Sequence, residues 1–374
     1  MKLKLKTGII GCGKVGHIHA RALINATNSD FTAVCSRSPE KRTEFSNKYR
    51  VKAYSDAEEM IRKEKIDVVV ICTPHPAHKE SAVLSLTTGA NVLVEKPLAT
   101  SLQDCDAMLE AANSNKKKLG VVSQRRFYLP CQRLYKAITD CKIGYPALGT
   151  VQMLGWRDKA YYESDPWRGT WFGEGGGVLV NQAPHQIDLL QWFMGGDMVE
   201  LFGLWNNTNH PYIEVEDTAV AIIKFRNGKI GNIVVSNAQR PGIYGKVHIH
   251  GSNGSSVGVQ TDGGAMFVAG MSGILDPPVN DLWTIPGEEK MLQNWVNEDS
   301  AFFNSIDPVE YYIRMQDEEF IRAVIDDREP LVSGTEGRKT VEIFTAVYRS
   351  CRDKTSIKWP LKPEINRNDM DGRI

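Results

Sequence analysis

Three short stretches of this chain carry residue types that move protons or hold phosphates. Glu95-Lys96-Pro97 follows an apolar run, Asn91 to Val94, that reads as a strand. A lysine at a strand's C-terminal end, set between a carboxylate and a proline, would point into the cleft where open parallel sheets bind ligands. Low-dielectric walls and a cationic ligand would depress its pKa and suit it to exchange a proton with a hydroxyl or carbonyl. Read alone, Glu95-Lys96 fits a surface ion pair better. The second stretch runs from Glu174 through Gly175-Gly176-Gly177 to Asp188. Its Asn181, His185 and Asp188 are spaced four and three apart, which would put them on one face of a helix. Apolar Leu189, Leu190, Trp192 and Phe193 would give that helix a core side opposite a wet pocket. A buried polar network that only holds the helix is the alternative. The third stretch is Gly11-Cys12-Gly13-Lys14-Val15-Gly16, between the short apolar strand from Thr7 to Ile10 and a helix-like segment. A strand feeding a glycine turn and a helix start presents backbone N–H groups to a phosphate. Gly11 would allow the tight turn, Gly13 the approach of a pyrophosphate, and Gly16 close helix–strand packing. The expected ligand is a dinucleotide.

The elements around these stretches alternate. Helix is expected over Ile18 to Ala26, Pro39 to Tyr49 and Ala77 to Thr88, with Gly89 as a stop. Strands are expected at Phe31 to Cys35, Asn91 to Val94 and Leu119 to Val122, and at Val68 to Cys72, whose unbroken β-branched run suits burial on both faces. Repeated βα units of this length predict a doubly wound parallel sheet. Ser36 stands twenty residues beyond Gly16, followed by Arg37, where an acid would favour NAD; serine beside a guanidinium could accommodate the 2′-phosphate of NADP. A solvated Arg37 is the alternative. Thr73-Pro74 follows the buried strand and should face the dinucleotide, with His78 reading as a packing or capping residue.

Beyond about residue 125 the pattern changes to strands without intervening helices. They are expected at Thr150 to Trp156, Glu200 to Trp205, Thr218 to Phe225, Lys229 to Ser236 and Lys246 to His250, with Asn227-Gly228 as a hairpin turn. Loop and short strand are expected from Gly251 to Gly273, and helices over Glu310 to Asp326 and Glu336 to Ser350. The chain has 374 residues, 45 basic against 45 acidic, and no basic block, which gives no reason to propose nucleic acid or an anionic membrane. Seven scattered cysteines without a C-x-x-C pair suit reduced thiols in a cytoplasm. Lys2, Lys4 and Lys6 mimic the start of a signal peptide, but the apolar stretch of roughly 7–15 residues is lacking. No segment approaches the roughly 20 apolar residues of a membrane span. No Cys/His cluster has metal-ligand spacing, and no serine nucleophile elbow appears.

In this order, Gly11 to Gly16, Thr73-Pro74 with His78, Glu95-Lys96-Pro97, and Asn181 with His185 resemble the motifs of the Gfo/Idh/MocA oxidoreductase family. The closing segments Glu329 to Gly334 and Glu336-Gly337-Arg338 look familial too, so the likeness covers almost the whole chain. It implies an N-terminal Rossmann domain over 1–125. A C-terminal α+β substrate and oligomerisation domain over 126–374 would be built on a large, mostly antiparallel open sheet. It implies NAD or NADP, a carbohydrate substrate and a homo-oligomer joined through the C-terminal sheet; the residues themselves add the lean to NADP, the expectation of no metal and a cytoplasmic location. Lys96 and His185 would be the catalytic pair. The cofactor would meet Gly11 to Gly16, Ser36, Arg37, Thr73, Pro74, His78, Glu95 and Lys96. Trp167-Arg168 stands where family members place such a pair near the nicotinamide; a surface-loop aromatic is the alternative reading of Trp167. Substrate would meet Trp156, Tyr161, Asn181, Gln182 and Asp188, and Tyr162 adds a further aromatic ring. One position departs from the family: Asn181 stands where many members have aspartate, and an amide orients hydroxyls but accepts no proton. The implied reaction is oxidation of a ring alcohol of a pyranose or glycoside, at C3, with an inositol dehydrogenase as runner-up. An NAD-dependent glycosidase and a non-catalytic dinucleotide sensor remain alternatives.

Overall fold

A computed structural model describes residues 4–240, 242, 245–262 and 276–364. The chain forms two compact units: one holds the residues up to Gln124 with Val309–Arg338, and the other Arg125–Pro308 with the residues from Lys339 on.

The first unit contains strands β1 (Leu5–Ile10), β2 (Ser29–Cys35), β3 (Lys52–Tyr54), β4 (Val68–Ile71), β5 (Asn91–Val94) and β6 (Leu119–Val121). Between them run helices α1 (Lys14–Asn25), α2 (Pro39–Tyr49), α3 (Ala57–Glu64), α4 (His78–Thr88) and α5 (Leu102–Ser114). The sheet order is β3-β2-β1-β4-β5-β6 and every pair is parallel. The order reverses between β1 and β4, and the ends of such strands are where doubly wound sheets bind ligands. All four residues of β4 are buried, as its apolar run requires. Helix ends follow local chemistry: Ser38 caps α2 by accepting the Lys41 N–H, and α4 stops on Gly89 at φ 108°. The helix Pro308–Ile325 closes the edge beside β6, where the Gln316 side chain donates to the Val121 carbonyl and accepts the Ser123 N–H, both at 2.8 Å.

The second unit carries eight strands: β7 (Pro146–Leu154), β8 (Met198–Asn206), β9 (Thr218–Phe225), β10 (Ile230–Ser236), β11 (Gly245–Gly251), β12 (Ser256–Asp262), β13 (Val279–Trp283) and β14 (Ile357–Lys358). Their order is β13-β12-β11-β7-β10-β9-β8-β14. β7 and β10 are parallel, and the other neighbours are antiparallel. One face buries Val151, Leu201, Ala221, Ile223, Ile233, Val235, Val247 and Ile249. The helix Pro184–Met194 lies on it so closely that a Cβ on Gly149 would stand 2.6 Å from Leu190. The opposite face exposes Leu148, Phe202, Leu204, Val220, Ile222 and Ile230.

The glycine-led segment departs from the expected single helix. Val178–Asn181 is one short helix, and a new one starts at Pro184, whose ring has no N–H to continue the ladder. Asn181 therefore sits on a separate turn, and only His185 and Asp188 share a helix. The helix Met291–Asn304 lies where no element was expected; Lys290 at its start makes no side-chain cap. The closing part of the anticipated loop, 263–273, lies outside the described residues.

Candidate active site

In the first unit the glycine turn has the geometry its residues require. Gly11 adopts φ 111°, and a Cβ there would stand 2.6 Å from the Cys72 carbonyl oxygen. A Cβ on Gly16 would stand 2.3 Å from the Gly11 oxygen, so only glycine lets α1 pack on the turn. Gly13 faces open space, with nothing within 4 Å of an added Cβ, and supplies no side-chain cap to the α1 N-terminus. An open, glycine-walled helix start fits a pyrophosphate. Lys14 is exposed, Val15 half-buried, and Cys12 buried, which pushes its thiol up to about 11. Ser36 closes β2 with its carbonyl bonded to the Arg42 guanidinium at 2.6 Å, and Arg37 is exposed beside it. No carboxylate occupies either position. Pro74 is exposed and the Thr73 hydroxyl, though buried, has no protein partner.

Lys96 is half-buried after β5, and its backbone N–H donates to its neighbour Glu95 Oε2 at 3.0 Å. His78 is fully buried, its ring nitrogens 2.9 Å from the Thr73 and Pro97 carbonyls. With no exposed surface it works as a strut tying the Thr73-Pro74 turn to the Lys96 turn, not as a cofactor contact. Burial lowers its pKa, against the pull of those carbonyls. A second buried histidine escaped the sequence reading: His19 lies between Asp317 and Glu95. Its sequence signal was a polar residue on the buried side of α1, three positions after Gly16. Asp317 is 298 positions away and gave none.

In the second unit the polar groups converge on one phenol. Tyr161, 4% exposed, accepts hydrogen bonds on its oxygen from Arg168, from Asn181 Nδ2 at 3.0 Å and from Gln182 Nε2 at 2.9 Å. Burial, then the Glu174 charge, pushes its pKa up, so it stays a neutral phenol. The Arg168 guanidinium lies 4.3 Å from the Tyr161 ring centroid and 4.5 Å from that of Trp167. Asn237 Nδ2 donates to Gln182 Oε1 at 2.9 Å. Glu174, only 1% exposed, accepts the Asn181 amide and the Gly169 N–H. A carboxylate thus stands against the Asn181 amide. Glu174 lies within the glycine-led motif, but only the fold reveals its partner. Trp156 is half-buried, with the Arg240 guanidinium 4.2 Å from its ring centroid.

His185 is 8% exposed in the first turn of its helix. Asp188, one turn on, gives both oxygens to Arg126, at 2.8 and 2.6 Å, in a buried bidentate pair. Asp188, expected at the substrate, thus spends both oxygens on a pair that anchors its helix. The turn before Asn181 is held by Glu216, fully buried. It accepts the Gly177 and Leu179 N–H groups at 2.8 and 3.0 Å and the Tyr348 hydroxyl at 2.9 Å. A Cβ on Gly177 would overlap the Glu216 carbonyl oxygen at 1.8 Å. Among the described residues no three His, Cys, Asp or Glu groups form a metal site, and no helix is long and apolar enough to cross a membrane.

The model of the oxidoreductase family, NAD-binding Rossmann fold, matches residues 5–123, and that of the GFO/IDH/MocA C-terminal domain matches 131–257. The myo-inositol 2-dehydrogenase of Thermotoga maritima is 28% identical over 67% of this chain and 74% of its own length. The inositol 2-dehydrogenase of Rhizobium meliloti is 24% identical over 95% of this chain and 99% of its own. The WlbA dehydrogenase of Bordetella pertussis, solved in complex with NADH and UDP-GlcNAcA, superposes with a TM-score of 0.84 at 27% identity, covering 97% of this chain and 99% of that one. By both of its domains, this chain belongs to the Gfo/Idh/MocA family of NAD-binding oxidoreductases.

Proposed function

We propose that this protein oxidises a secondary ring alcohol of a pyranose or glycoside, at C3, with NAD or NADP as hydride acceptor. Two observations support the reading, one in each unit: a dinucleotide cradle at Gly11 to Gly16, and a cluster of neutral hydroxyl readers at Tyr161, Asn181 and Gln182, braced from behind by the buried Asn237. Amides and a phenol held in one network suit the vicinal hydroxyls of a sugar, and Trp156 suits its apolar face. A nicotinamide cofactor bound at the glycine cradle would supply the acceptor for the hydride of the alcohol carbon. In this reading the Lys96 ammonium donates a hydrogen bond to the alcohol oxygen and stabilises it as its proton leaves. His185 accepts that proton. Asn181 orients a hydroxyl, while Glu174 and Arg168 fix Asn181 and Tyr161. The neutral Ser36, flanked by Arg37 and Arg42, leaves room and positive charge for a 2′-phosphate, which favours NADP.

The inositol dehydrogenases among the relatives support a cyclitol as second reading, since a cyclitol offers the same ring of secondary alcohols. Turnover of methyl glucosides, UDP-sugars and inositols with either cofactor, followed by absorbance of the reduced nicotinamide, decides between them. Reduction with inositols alone would replace the pyranose reading. Release of an aglycone without net reduction would indicate a glycosidase, and no reduction with any polyol would leave a dinucleotide sensor.

A further inference from the structure

Beside Lys96, three ionisable groups are packed in a line away from solvent. His19 on α1 places Nδ1 3.0 Å from Asp317 Oδ2 and Nε2 3.1 Å from Glu95 Oε1. The His19 and Asp317 side chains have 0% exposure and Glu95 13%. Glu95 Oε2 then takes the Lys96 backbone N–H at 3.0 Å. A neutral imidazole has one N–H and could serve one carboxylate; an imidazolium serves both. Burial alone would lower the His19 pKa, but Asp317 and Glu95 outweigh it and raise it to about 10. Burial works to raise Glu95, yet His19, then Lys96, hold it below the ordinary carboxylate range. Burial, with the Glu95 and Glu318 charges, raises the Asp317 carboxyl against the pull of His19; among the described residues, Cys72 and His78 also face the Glu95 charge. Burial keeps the Cys72 thiol protonated and His78 toward neutral, so neither can replace the charge of His19. Buried ion pairs contribute little net stability compared with well-packed apolar residues, so stability alone does not account for the line. Its end point does: it terminates on the peptide that carries Lys96.

We propose that Asp317, His19 and Glu95 form a positioning line for Lys96, in which protonated His19 fixes the Glu95 carboxylate and Glu95 fixes the lysine's backbone. The inference rests on the reading that Lys96 hydrogen-bonds the reacting alcohol oxygen. His19 and Asp317 are positioning residues in this scheme. His19→Gln keeps an N–H for one carboxylate but removes the charge, so Glu95, still largely enclosed, takes up a proton at higher pH.

Two measurements on the full chain test this. In ¹⁵N-histidine-labelled protein without cofactor, one ring should remain doubly protonated at a pH where ordinary histidines have lost their proton, and that signal should vanish in His19→Gln. Amide exchange at Lys96 should quicken in the same variant. In turnover, His19→Gln should lower kcat roughly tenfold to hundredfold, change the cofactor KM less than threefold, and move the acid limb of the kcat profile to higher pH. Asp317→Asn should lower the pH at which the persistent ring signal is lost and quicken Lys96 amide exchange, and adding Glu95→Gln to His19→Gln should remove the shifted limb. Absence of the persistent imidazolium signal, or a kcat loss uniform across pH with an unmoved limb, overturns the proposal. Thermal melts of each variant identify any that fail to fold, and Asp317→Asn then carries the test. If the wild type oxidises no alcohol, the functional reading fails, while the ring signal and the Lys96 exchange still decide the line.

Discussion

Lys96 and His185 carry the proposed chemistry, and their substitution separates binding from proton transfer. Lys96→Met and His185→Gln should each lower kcat by about 10²–10⁴, with the dinucleotide dissociation constant changed only slightly in a fluorescence titration. A large loss of cofactor binding in both would remove them from that role. Glu174→Gln tests the carboxylate beside Asn181. It keeps the volume and an acceptor for one N–H, but removes the charge, so KM for the sugar should rise more than kcat falls. Steady-state kinetics that leave KM untouched would make Glu174 a purely structural group. At the cofactor end, Ser36→Asp should shift the kcat/KM ratio towards NAD, because a carboxylate repels a 2′-phosphate and accepts from a 2′-hydroxyl. An unchanged ratio would take Ser36 out of cofactor selection.

At the scale of elements, the Glu216 clamp on the Gly177–Leu179 turn has a pH signature. Burial first of all raises its pKa to about 7, above its ordinary 4.5, although backbone N–H groups and Tyr348 pull the other way. The folded state therefore disfavours the ionised carboxyl. Stability from this group is fully present below pH 4.5 and is lost as pH rises through about 7. The effect is of order a few kcal/mol. Thermal melts should show wild type losing stability over that window, and Glu216→Gln, though less stable at low pH, should be flatter across it. Equal slopes in both would contradict the assignment. The elements themselves were legible in the sequence wherever composition was one-sided. The β-branched run at β4, the Pro39 start of α2 and the Gly89 stop of α4 fall where their residues direct them. The break at Pro184 was visible as a residue but lost to the stronger spacing of Asn181, His185 and Asp188. Spacing reports one helix only when every intervening residue can continue it. Long-range partners were not legible: Asp188 gave no sign of Arg126, and His19 none of Asp317, because only tertiary packing joins them.

For the whole molecule, the outward face of the eight-stranded sheet matters most. Its exposed residues lie side by side in register, with Phe202 opposite Ile222, Leu204 opposite Val220 and Ile230 opposite Leu148. Exposed apolar pairs of this kind on a sheet face mark an association surface, and we propose that copies of this chain pair through it. Solution scattering should give a mass above that of one chain, and Leu204→Lys with Ile222→Lys should reduce it to a monomer with unchanged circular dichroism. A wild-type monomer would contradict the pairing. The central claim concerns the reaction itself, and one isotope experiment reaches it. A methyl glucoside deuterated at C3 is incubated with the protein and oxidised cofactor, and the reduced nicotinamide is analysed by mass spectrometry and NMR. The account predicts one deuterium at nicotinamide C4, with its formation lost in Lys96→Met and His185→Gln. Reduced cofactor without deuterium, or none formed from any glucoside or inositol, would contradict it.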